Sequence, residues 1–223
     1  MDVTTAVKTR ISTRAFTPQP VSQALVREIL DVARWAPSGG NVQPWKVIAV
    51  AGAARDAVVA LAQPAMAANP VGEEGDRPIY PAELWEPHRS WRFKCGEDMY
   101  ATLGIPREDK GARLMWLANN YRFFGAPVGL FFVIDARMGH GQWAHLGMFM
   151  QTIALVAQER GLATCMQEAW ARLRVTLHRH FALAPGELIY CGMALGYADP
   201  GAPVNALRTE RASVDEFTAF SGF

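Results

Sequence analysis

The residues from Ala36 to Trp45 combine backbone and side-chain groups that can bind a polar ligand. They are two glycines, two prolines, a hydroxyl and two side-chain amides, in the order Ala-Pro-Ser-Gly-Gly-Asn-Val-Gln-Pro-Trp. Gly39 and Gly40 let the main chain approach a ligand closely, and Asn41 and Gln43 each offer hydrogen-bond donors and an acceptor. Such a loop suits a planar, polar molecule. The same residue types dominate ordinary turns, so composition alone favours a simple helix-to-strand turn.

A second candidate group precedes the turn at Thr17-Pro18, where Arg10 and Arg14 flank Ser12. The two guanidinium groups could reach one dianionic phosphate, and the Ser12 hydroxyl could add a further donor. The alternative is a solvated basic helix end, in which the cations interact only with the helix dipole. The sequence leaves both interpretations open.

The segment from Leu162 to Trp170 has the pattern of a short strand that leads into a helix. A strand-to-helix junction exposes backbone N–H groups, which suit an electron-rich ligand atom. Metal chemistry is not indicated. His178 and His180 are two residues apart and point in different directions on a helix, and no other His, Cys or carboxylate spacing indicates zinc. We therefore expect no metal site.

From 69 to about 110 the regular pattern breaks. Glycine and proline interrupt the segment at Pro70, Gly72, Gly75, Pro78, Pro81 and Pro87. Its aromatic residues are Tyr80, Trp85, His88, Trp91 and Phe93. A stretch this long inside a compact domain is usually functional or disordered, and the aromatic residues argue against disorder. We interpret it as an inserted lid over a pocket; the alternative is that its aromatic side chains only attach the excursion to the domain.

Hydrophobic periodicity indicates the elements that position these groups. Helices are predicted over 3–11, 22–35, 53–67, 108–124 and 143–160, with a further helix ending near 181. Strands are predicted over 46–51, 128–135 and 187–195, besides the short one after residue 162. The first is apolar enough to predict burial on both faces. Ser22 is the expected N-cap of the second helix, and Gly161 the expected C-cap of the long one.

The bulk properties describe one ordinary globular domain of 223 residues. A net charge of +1 indicates neither a nucleic-acid partner nor an anionic membrane surface, and no apolar run approaches the ~20 residues that span a bilayer. The three cysteines are widely spaced and odd in number, which predicts reduced thiols and a cytoplasmic location. The apolar tail, which carries three phenylalanines, is not expected to remain free of contacts.

In their order along the chain, four blocks resemble the flavin-dependent nitroreductase family. They are Arg10–Phe16 (RISTRAF), Ala36–Trp45 (APSGGNVQPW), Gly161–Trp170 (GLATCMQEAW) and Leu195–Arg211 (LGYADPGAPVNALRTER). The excursion from 69 to 110 is similar to that of the nitrobenzoate-reductase-like branch. The resemblance implies an α+β fold with a central, mostly antiparallel sheet flanked by helices. It also implies an intertwined homodimer in which a C-terminal arm, about 199–223, crosses onto the partner.

The resemblance further implies two FMN molecules at the dimer interface. The residues expected to bind FMN are Arg10, Ile11, Ser12, Arg14, Pro37, Ser38, Gly39, Asn41, Gln43, Met166, Gln167, Glu168, Ala169, Arg208 and Arg211. The arginines and Ser12 would hold the phosphate and ribityl end, and the loop after Ala36 would come from the partner. The backbone around Gln167 would direct an N–H at flavin N5. Arg14 would stabilise the reduced flavin. No catalytic side chain is expected, because the flavin itself carries the chemistry.

The implied function is transfer of electrons from NADH or NADPH, by a ping-pong mechanism, to a nitroaromatic or quinone-like acceptor. An aromatic substrate lid would consist of Trp85, Trp91 and Phe93, with Phe123 or Phe124. Two alternatives stay open. One is another flavin reaction on the same fold, such as dehalogenation, ene reduction or dehydrogenation. The other is a flavin-binding protein without turnover.

Overall fold

A computed structural model describes residues 1–73 and 79–223 of the chain. The helices are α1 (Val3–Thr9), α2 (Gln23–Ala33), α3 (Gly52–Ala68), α4 (His88–Thr102), α5 (Lys110–Leu117), α6 (His140–Glu159), α7 (Arg174–His180) and α8 (Val214–Phe217). The strands are β1 (Lys46–Ala51), β2 (Val128–Asp135), β3 (Ala163–Gln167) and β4 (Glu187–Gly196). Short 3₁₀ segments cover Gly39–Asn41, Ala118–Gly125, Glu168–Leu173 and Pro203–Ala206. The predicted α+β class is confirmed.

The four strands form one sheet in the order β1-β2-β4-β3, and each neighbouring pair is antiparallel. β2 is buried along almost its whole length because both faces of the sheet are covered. Leu130 and Phe132 face a core built with α2 and α6. Phe131 and Val133 face a second core on the opposite side, which α3 and α7 cover. The protein is therefore a helix–sheet–helix sandwich.

The caps predicted for the two helices of the first core are confirmed. The Ser22 side chain accepts a hydrogen bond from the Leu25 N–H at 3.2 Å, at the N-terminus of α2. Gly161 adopts φ +75° at the end of α6, and the Leu162 N–H donates back to the Ala157 carbonyl at 2.8 Å. These caps fix where each helix ends, and Gly161 turns the chain directly into β3.

Two expectations about burial are wrong. β1 is an edge strand paired only with β2, and of its residues only Val50 is buried, so it is not covered on both faces. The predicted helix over 108–124 stops being α-helical at Leu117, and α5 contributes no buried residue: Leu114 is 70% exposed. The 3₁₀ segment that follows breaks at Phe123 and Phe124, where φ is +52° and +51°. Those two residues turn the chain into β2 and bury their rings.

The excursion contains a helix that the sequence pattern did not indicate, α4, which occupies His88–Thr102. The interruptions expected at Gly75 and Pro78 lie outside the described residues. Among the described helices, none combines the length and the apolar character needed to cross a bilayer.

Candidate functional site

The block from Arg10 to Phe16 is an extended segment lying against the outer edge of β3. Ser12 forms a parallel bridge with Thr164, and the Thr13 N–H donates to the Thr164 carbonyl at 3.0 Å. The Arg14 N–H donates to Oδ1 of Asn205 at 2.9 Å, which ties the block to the C-terminal tail. Two parts of the chain almost 200 residues apart in sequence are thus fastened to each other.

These contacts create a cavity of about 390 Å³ that we call the cationic pocket. Its basic and hydroxyl-bearing lining residues are Lys8, Arg10, Ser12, Arg14, Thr209, Arg208 and Arg211. The fold therefore brings arginines from both ends of the chain to one cavity. Ile11 and the exposed Cys95 also line the pocket.

Among residues 1–73 and 79–223, no carboxylate lines the cationic pocket. Nε of Arg10 is buried and has no hydrogen-bond partner. Burial lowers the pKa of Arg10, and the like charge of Arg211 lowers it further. Arg208 donates to the carbonyls of Asn205 and Leu207, both at 3.0 Å, and within the described residues no carboxylate pairs with any of these arginines. A buried donor and clustered positive charge are what an anionic group would satisfy.

A second cavity of about 420 Å³, the edge cavity, adjoins the first and shares Arg14 with it. Arg55, Asn119 and Arg122 also line it. Nε of Arg55 is buried without a hydrogen-bond partner, and its guanidinium makes only a 3.3 Å contact with the exposed Asp56. Sequence reasoning missed these three residues. They lie on α3 and on the 3₁₀ segment after α5, and no local pattern there distinguishes them from surface residues.

The C-terminal end of β3 leads into a 3₁₀ turn whose residue Ala169 lines a third cavity. Gln167 is 1% exposed, donates through Nε2 to the Asn120 carbonyl at 2.8 Å, and leaves Oε1 without a partner. The next residue, Glu168, begins a 3₁₀ turn whose first N–H groups lack intrahelical partners. Burial raises the pKa of the Glu168 carboxyl. The Ala169 carbonyl accepts a hydrogen bond from the Tyr121 hydroxyl at 3.2 Å.

The third cavity, which we call the apolar groove, has a volume of about 460 Å³. It runs between α3, α5 and the 3₁₀ turn after β3. The apolar side chains along it include Val59, Met66, Leu114 and Leu117, while Tyr121, Ala169, Arg122 and Arg172 supply its polar or backbone groups. Because Ala169 lines this groove and directly follows Glu168, the groove opens beside the end of β3.

The glycine-rich loop lies elsewhere in the same chain. Ser38 Oγ accepts from the Gln43 N–H at 3.0 Å, and the Gly39 N–H donates to His145 Nδ1 at 3.3 Å, near the N-terminus of α6. Asn41 and Gln43 have φ of +54° and +51°, and both are exposed. In the described part of the chain, Pro37, Ser38, Gly39, Asn41 and Gln43 line neither the cationic pocket nor the edge cavity.

The residues expected to form an aromatic lid do not form one in the single chain. Trp85, Trp91 and Phe93 are each about half exposed or more, and they pack on His88 or Arg107 rather than lining a cavity described above. Phe123 and Phe124 are core residues. The ring of Phe123 stacks on Trp170 with centroids 4.8 Å apart, and only Phe124 reaches the wall of the edge cavity. The positive-φ turn places both rings inside, so neither belongs to a mobile lid.

Cys165 and Cys191 are free and buried, as expected of small hydrophobic residues. Burial raises the pKa of Cys165 to about 11, although Arg14 and Arg10 act in the opposite direction. Within the described residues, no group of three His, Cys, Asp or Glu side chains could hold a metal ion.

Comparison with known proteins places these cavities in a wider context. The sequence model of the nitroreductase family matches residues 7–197. The chain is 39% identical to the 4-nitrobenzoate reductase of Pseudomonas putida over 225 aligned positions, covering 100% of this chain and 96% of that protein. It is 36% identical to the nitrobenzene nitroreductase of Ectopseudomonas oleovorans, covering 96% of this chain and 94% of that protein. The crystal structure of the FMN- and NADPH-dependent nitroreductase NfnB from a Sphingopyxis strain superposes with a TM-score of 0.97 at 40% identity, covering 100% of both chains.

Proposed function

The chain belongs to the nitroreductase family, and from this membership and the geometry of its cavities we propose that it is an FMN-dependent oxidoreductase that reduces nitroaromatic or quinone-like acceptors with NADH or NADPH. The cationic pocket is the observation that carries the proposal. It gathers five positive side chains around a buried, unpartnered Arg10 Nε, and a phosphate monoester is the anion that fits such a fork of donors. NfnB from the Sphingopyxis strain, which shares the fold over its whole length, is FMN- and NADPH-dependent.

In this assignment Arg10, Ser12, Arg208 and Arg211 would hold the phosphate, and the residues that line the edge cavity would hold the pyrimidine edge of the flavin ring. Arg14 lines both spaces, so it lies between the two ends of the cofactor. Arg14 and Arg122 then stabilise negative charge on that edge, and the Asn119 amide supplies a donor and an acceptor for the ring. Bound there, FMN would supply two-electron redox chemistry between NAD(P)H and the acceptor.

The backbone at Glu168 and Ala169 is assigned to the N5 side of the ring. Gln167 fixes this backbone through its hydrogen bond to Asn120, and Tyr121 fixes it through the bond to Ala169. The N5 side of the flavin ring would therefore be positioned by main-chain groups that follow the end of β3 and that these two hydrogen bonds hold in place. Reduction of a nitro group to a nitroso group takes two electrons and two protons and releases water. The hydride of NAD(P)H accounts for both electrons and one of these protons, and solvent supplies the other, so no side-chain acid is required.

The complete site is proposed to need two copies of the chain. Gly39 contacts His145 near one end of α6, whereas Thr9, beside Arg10, contacts Gln158 near the other. The helical rise between His145 and Gln158 is roughly 20 Å, so the loop and the phosphate residues lie at opposite ends of one long helix. A twofold-related copy brings the loop of one chain to the pocket of the other. Exposed apolar side chains near the loop, including Trp35 at 80% and Met148 at 47%, support such an interface.

The C-terminal arm is assigned to the same interface. Phe217, Phe220 and Phe223 are all largely exposed in the single chain, and a second copy would cover them. The aromatic residues of the excursion, Trp85, Trp91 and Phe93, are assigned to the entrance of the completed site. Three free cysteines, two of them buried, support a reducing and cytoplasmic environment.

An anaerobic absorbance titration tests the proposal. Purified protein with bound FMN should lose its flavin absorbance on addition of NADPH or NADH, and regain it when 4-nitrobenzoate or a quinone is added. A protein that cannot bind FMN contradicts the cofactor assignment. Bound FMN that neither nicotinamide reduces would favour the flavin-binding alternative, and reduced FMN that no nitroarene or quinone reoxidises would favour another flavin reaction.

A further inference from the structure

The relatives are named for nitroarenes of different charge: 4-nitrobenzoate is an anion, and nitrobenzene is neutral. The lining of the apolar groove bears on which of these two kinds of nitroarene this chain accepts. The cation Arg172 lines the groove together with Ala169. Ala169 belongs to the backbone assigned to flavin N5. A molecule that lies along the groove therefore has one end near this backbone and can have the other near Arg172.

Arg172 lies close to the polar part of the groove wall. Burial raises the pKa of the Tyr121 hydroxyl, and the positive charge of Arg172 partly offsets this rise, so the two groups are electrostatic neighbours. The Tyr121 hydroxyl itself donates to the Ala169 carbonyl. Arg172, Tyr121 and Ala169 all line the groove, whose polar lining also includes Gln63, Asn120 and Arg122.

Neighbouring backbone holds Arg172 in place. Its Nη2 donates to the Pro70 carbonyl at 3.2 Å, and its own carbonyl accepts from the Glu73 N–H at 2.8 Å. Gly72, with φ +99°, packs directly on the side chain: a Cβ there would lie 3.1 Å from the Arg172 Cβ. A guanidinium held in this way loses little conformational freedom when it binds an anion.

The charge of Arg172 is not neutralised by a carboxylate among residues 1–73 and 79–223. Other arginines of the protein are paired: Arg113 lies 2.5 Å from Glu97, and Arg160 lies 2.6 Å from Glu28. The carboxylate of Glu73, on the same flank as Arg172, is engaged instead by the Thr176 N–H and hydroxyl. Arg172 therefore has donors available for an anion that enters the groove.

We propose that the apolar groove binds nitroarenes that carry a carboxylate, with the aromatic ring between the side chains of α3 and α5 and the carboxylate on Arg172. This inference rests on the proposed function, since it names the acceptor class of the same enzyme. It makes Arg172 the residue that distinguishes an aromatic acid from a neutral nitroarene of the same size.

The test compares 4-nitrobenzoate with its methyl ester, which keeps the nitro group and the ring but removes the charge. Wild-type protein should have a kcat/KM for the acid about ten- to hundredfold above that for the ester, the range expected when a hydrogen bond to a charged group is lost. Arg172→Gln should abolish this ratio by lowering kcat/KM for the acid, and Arg172→Lys should restore part of it. Arg179→Gln, which removes an exposed charge on α7, serves as the matched control.

A measurement independent of turnover completes the test. Benzoate, which has no reducible group, should bind wild-type FMN-loaded protein in calorimetry, and Arg172→Gln should weaken this binding at least tenfold. Equal reduction of acid and ester by the wild type, or an acid preference that survives Arg172→Gln, would overturn the inference and leave the nitroreductase function standing. If neither compound is reduced, the proposed function fails, and benzoate binding alone still decides whether Arg172 receives a carboxylate.

Discussion

Arg10 is the residue on which the cofactor assignment depends most directly. Its Nε is buried without a partner, and its neighbour Arg211 carries the same charge, so the folded protein tolerates an unfavourable arrangement at this point. A bound phosphate would supply both the missing acceptor and the missing negative charge. We expect Arg10→Gln to weaken FMN binding about ten- to hundredfold, since a hydrogen bond to a charged group is lost.

Riboflavin, which lacks the phosphate, provides the discriminating measurement for Arg10. Fluorescence titration should show that Arg10→Gln lowers the affinity for FMN and leaves the weaker affinity for riboflavin within about twofold of the wild type. Arg179→Gln should change neither value. An equal loss of FMN and riboflavin affinity would mean that Arg10 supports the structure of the pocket and does not bind the phosphate.

Glu168 provides a prediction about pH. Burial raises its pKa, so the folded state binds this proton more tightly than the unfolded state does. Stability is then greatest at low pH and falls as the pH rises from the ordinary carboxyl range through the folded pKa. Glu168→Gln removes this penalty. We expect the melting temperature of the variant apoprotein to exceed that of the wild type by about 2–4 °C near pH 7, which corresponds to roughly 1 kcal/mol.

The difference should disappear near pH 4, where the wild-type carboxyl is largely protonated in both states. Thermal unfolding of the apoprotein across this pH range measures it. Glu108→Gln, which replaces an exposed carboxyl, is the control and should melt like the wild type at both pH values. A variant that is less stable than the wild type near pH 7 would show that the Glu168 charge is favourable in the fold.

At the scale of elements, the packing of β4 against the turn after β3 determines where the backbone near Gln167 lies. Gly192 pairs with Gln167 in the sheet, and a Cβ at Gly192 would lie 2.3 Å from Cδ1 of the fully buried Trp170. Gly192→Ala must therefore displace the indole and the turn that carries it. We expect a loss of about 1–3 kcal/mol in the free energy of unfolding, the usual cost of overpacking, together with weaker FMN binding.

Denaturant unfolding and flavin fluorescence measure these two effects of Gly192→Ala. Gly96→Ala, inside α4 with no neighbouring atom in the way, should instead stabilise the protein by roughly 0.5–1 kcal/mol. If Gly192→Ala has wild-type stability and FMN affinity, the turn is more adaptable than its packing indicates.

Some elements of this fold are determined by local sequence, and others depend on tertiary packing. α2 and β2 were predictable because a cap and a continuous apolar run carry the necessary information locally. β1 and α5 were misjudged because apolar sequence does not reveal whether a neighbour covers it: β1 lies at an edge, and Leu114 lines a groove. α4 was missed because prolines and glycines flank a helix of low hydrophobicity.

The residues of the candidate site also fall into these two groups, those that the sequence indicates and those that only tertiary packing brings together. The spacing of Arg10, Ser12 and Arg14 made them candidates while leaving a solvated helix end as the alternative, and the tail arginines came from the family resemblance. Arg55, Asn119 and Arg122 were not, since only the packing of α3 and the 3₁₀ segment onto Arg14 brings them to the edge cavity. The position of Phe123 and Phe124 in the core depends on two consecutive positive φ angles, which their residue type does not suggest.

At the scale of the whole molecule, α6 separates the glycine-rich loop from the cationic pocket. The loop contacts the N-terminal part of α6, and Thr9, which precedes Arg10, contacts Gln158 near its C-terminal end. If each site combines the cationic pocket of one chain with the loop of the other, a defect in the pocket and a defect in the loop can be carried on different chains of one dimer. A site shared by two chains therefore predicts a different result from a site contained within one chain.

Two variants make the experiment possible. Arg10→Gln impairs the pocket, and Asn41→Gly with Gln43→Gly removes both loop amides without strain, because glycine adopts the positive φ of those positions freely. In a heterodimer of the two variant chains, one shared site receives both defects and the other receives neither. Tandem affinity purification of differently tagged chains isolates this heterodimer.

At an FMN concentration that just saturates the wild type, each variant homodimer should retain little flavin, while the heterodimer should retain one FMN per two chains. A heterodimer as depleted as the homodimers would mean that pocket and loop act within the same chain, which would contradict the shared site.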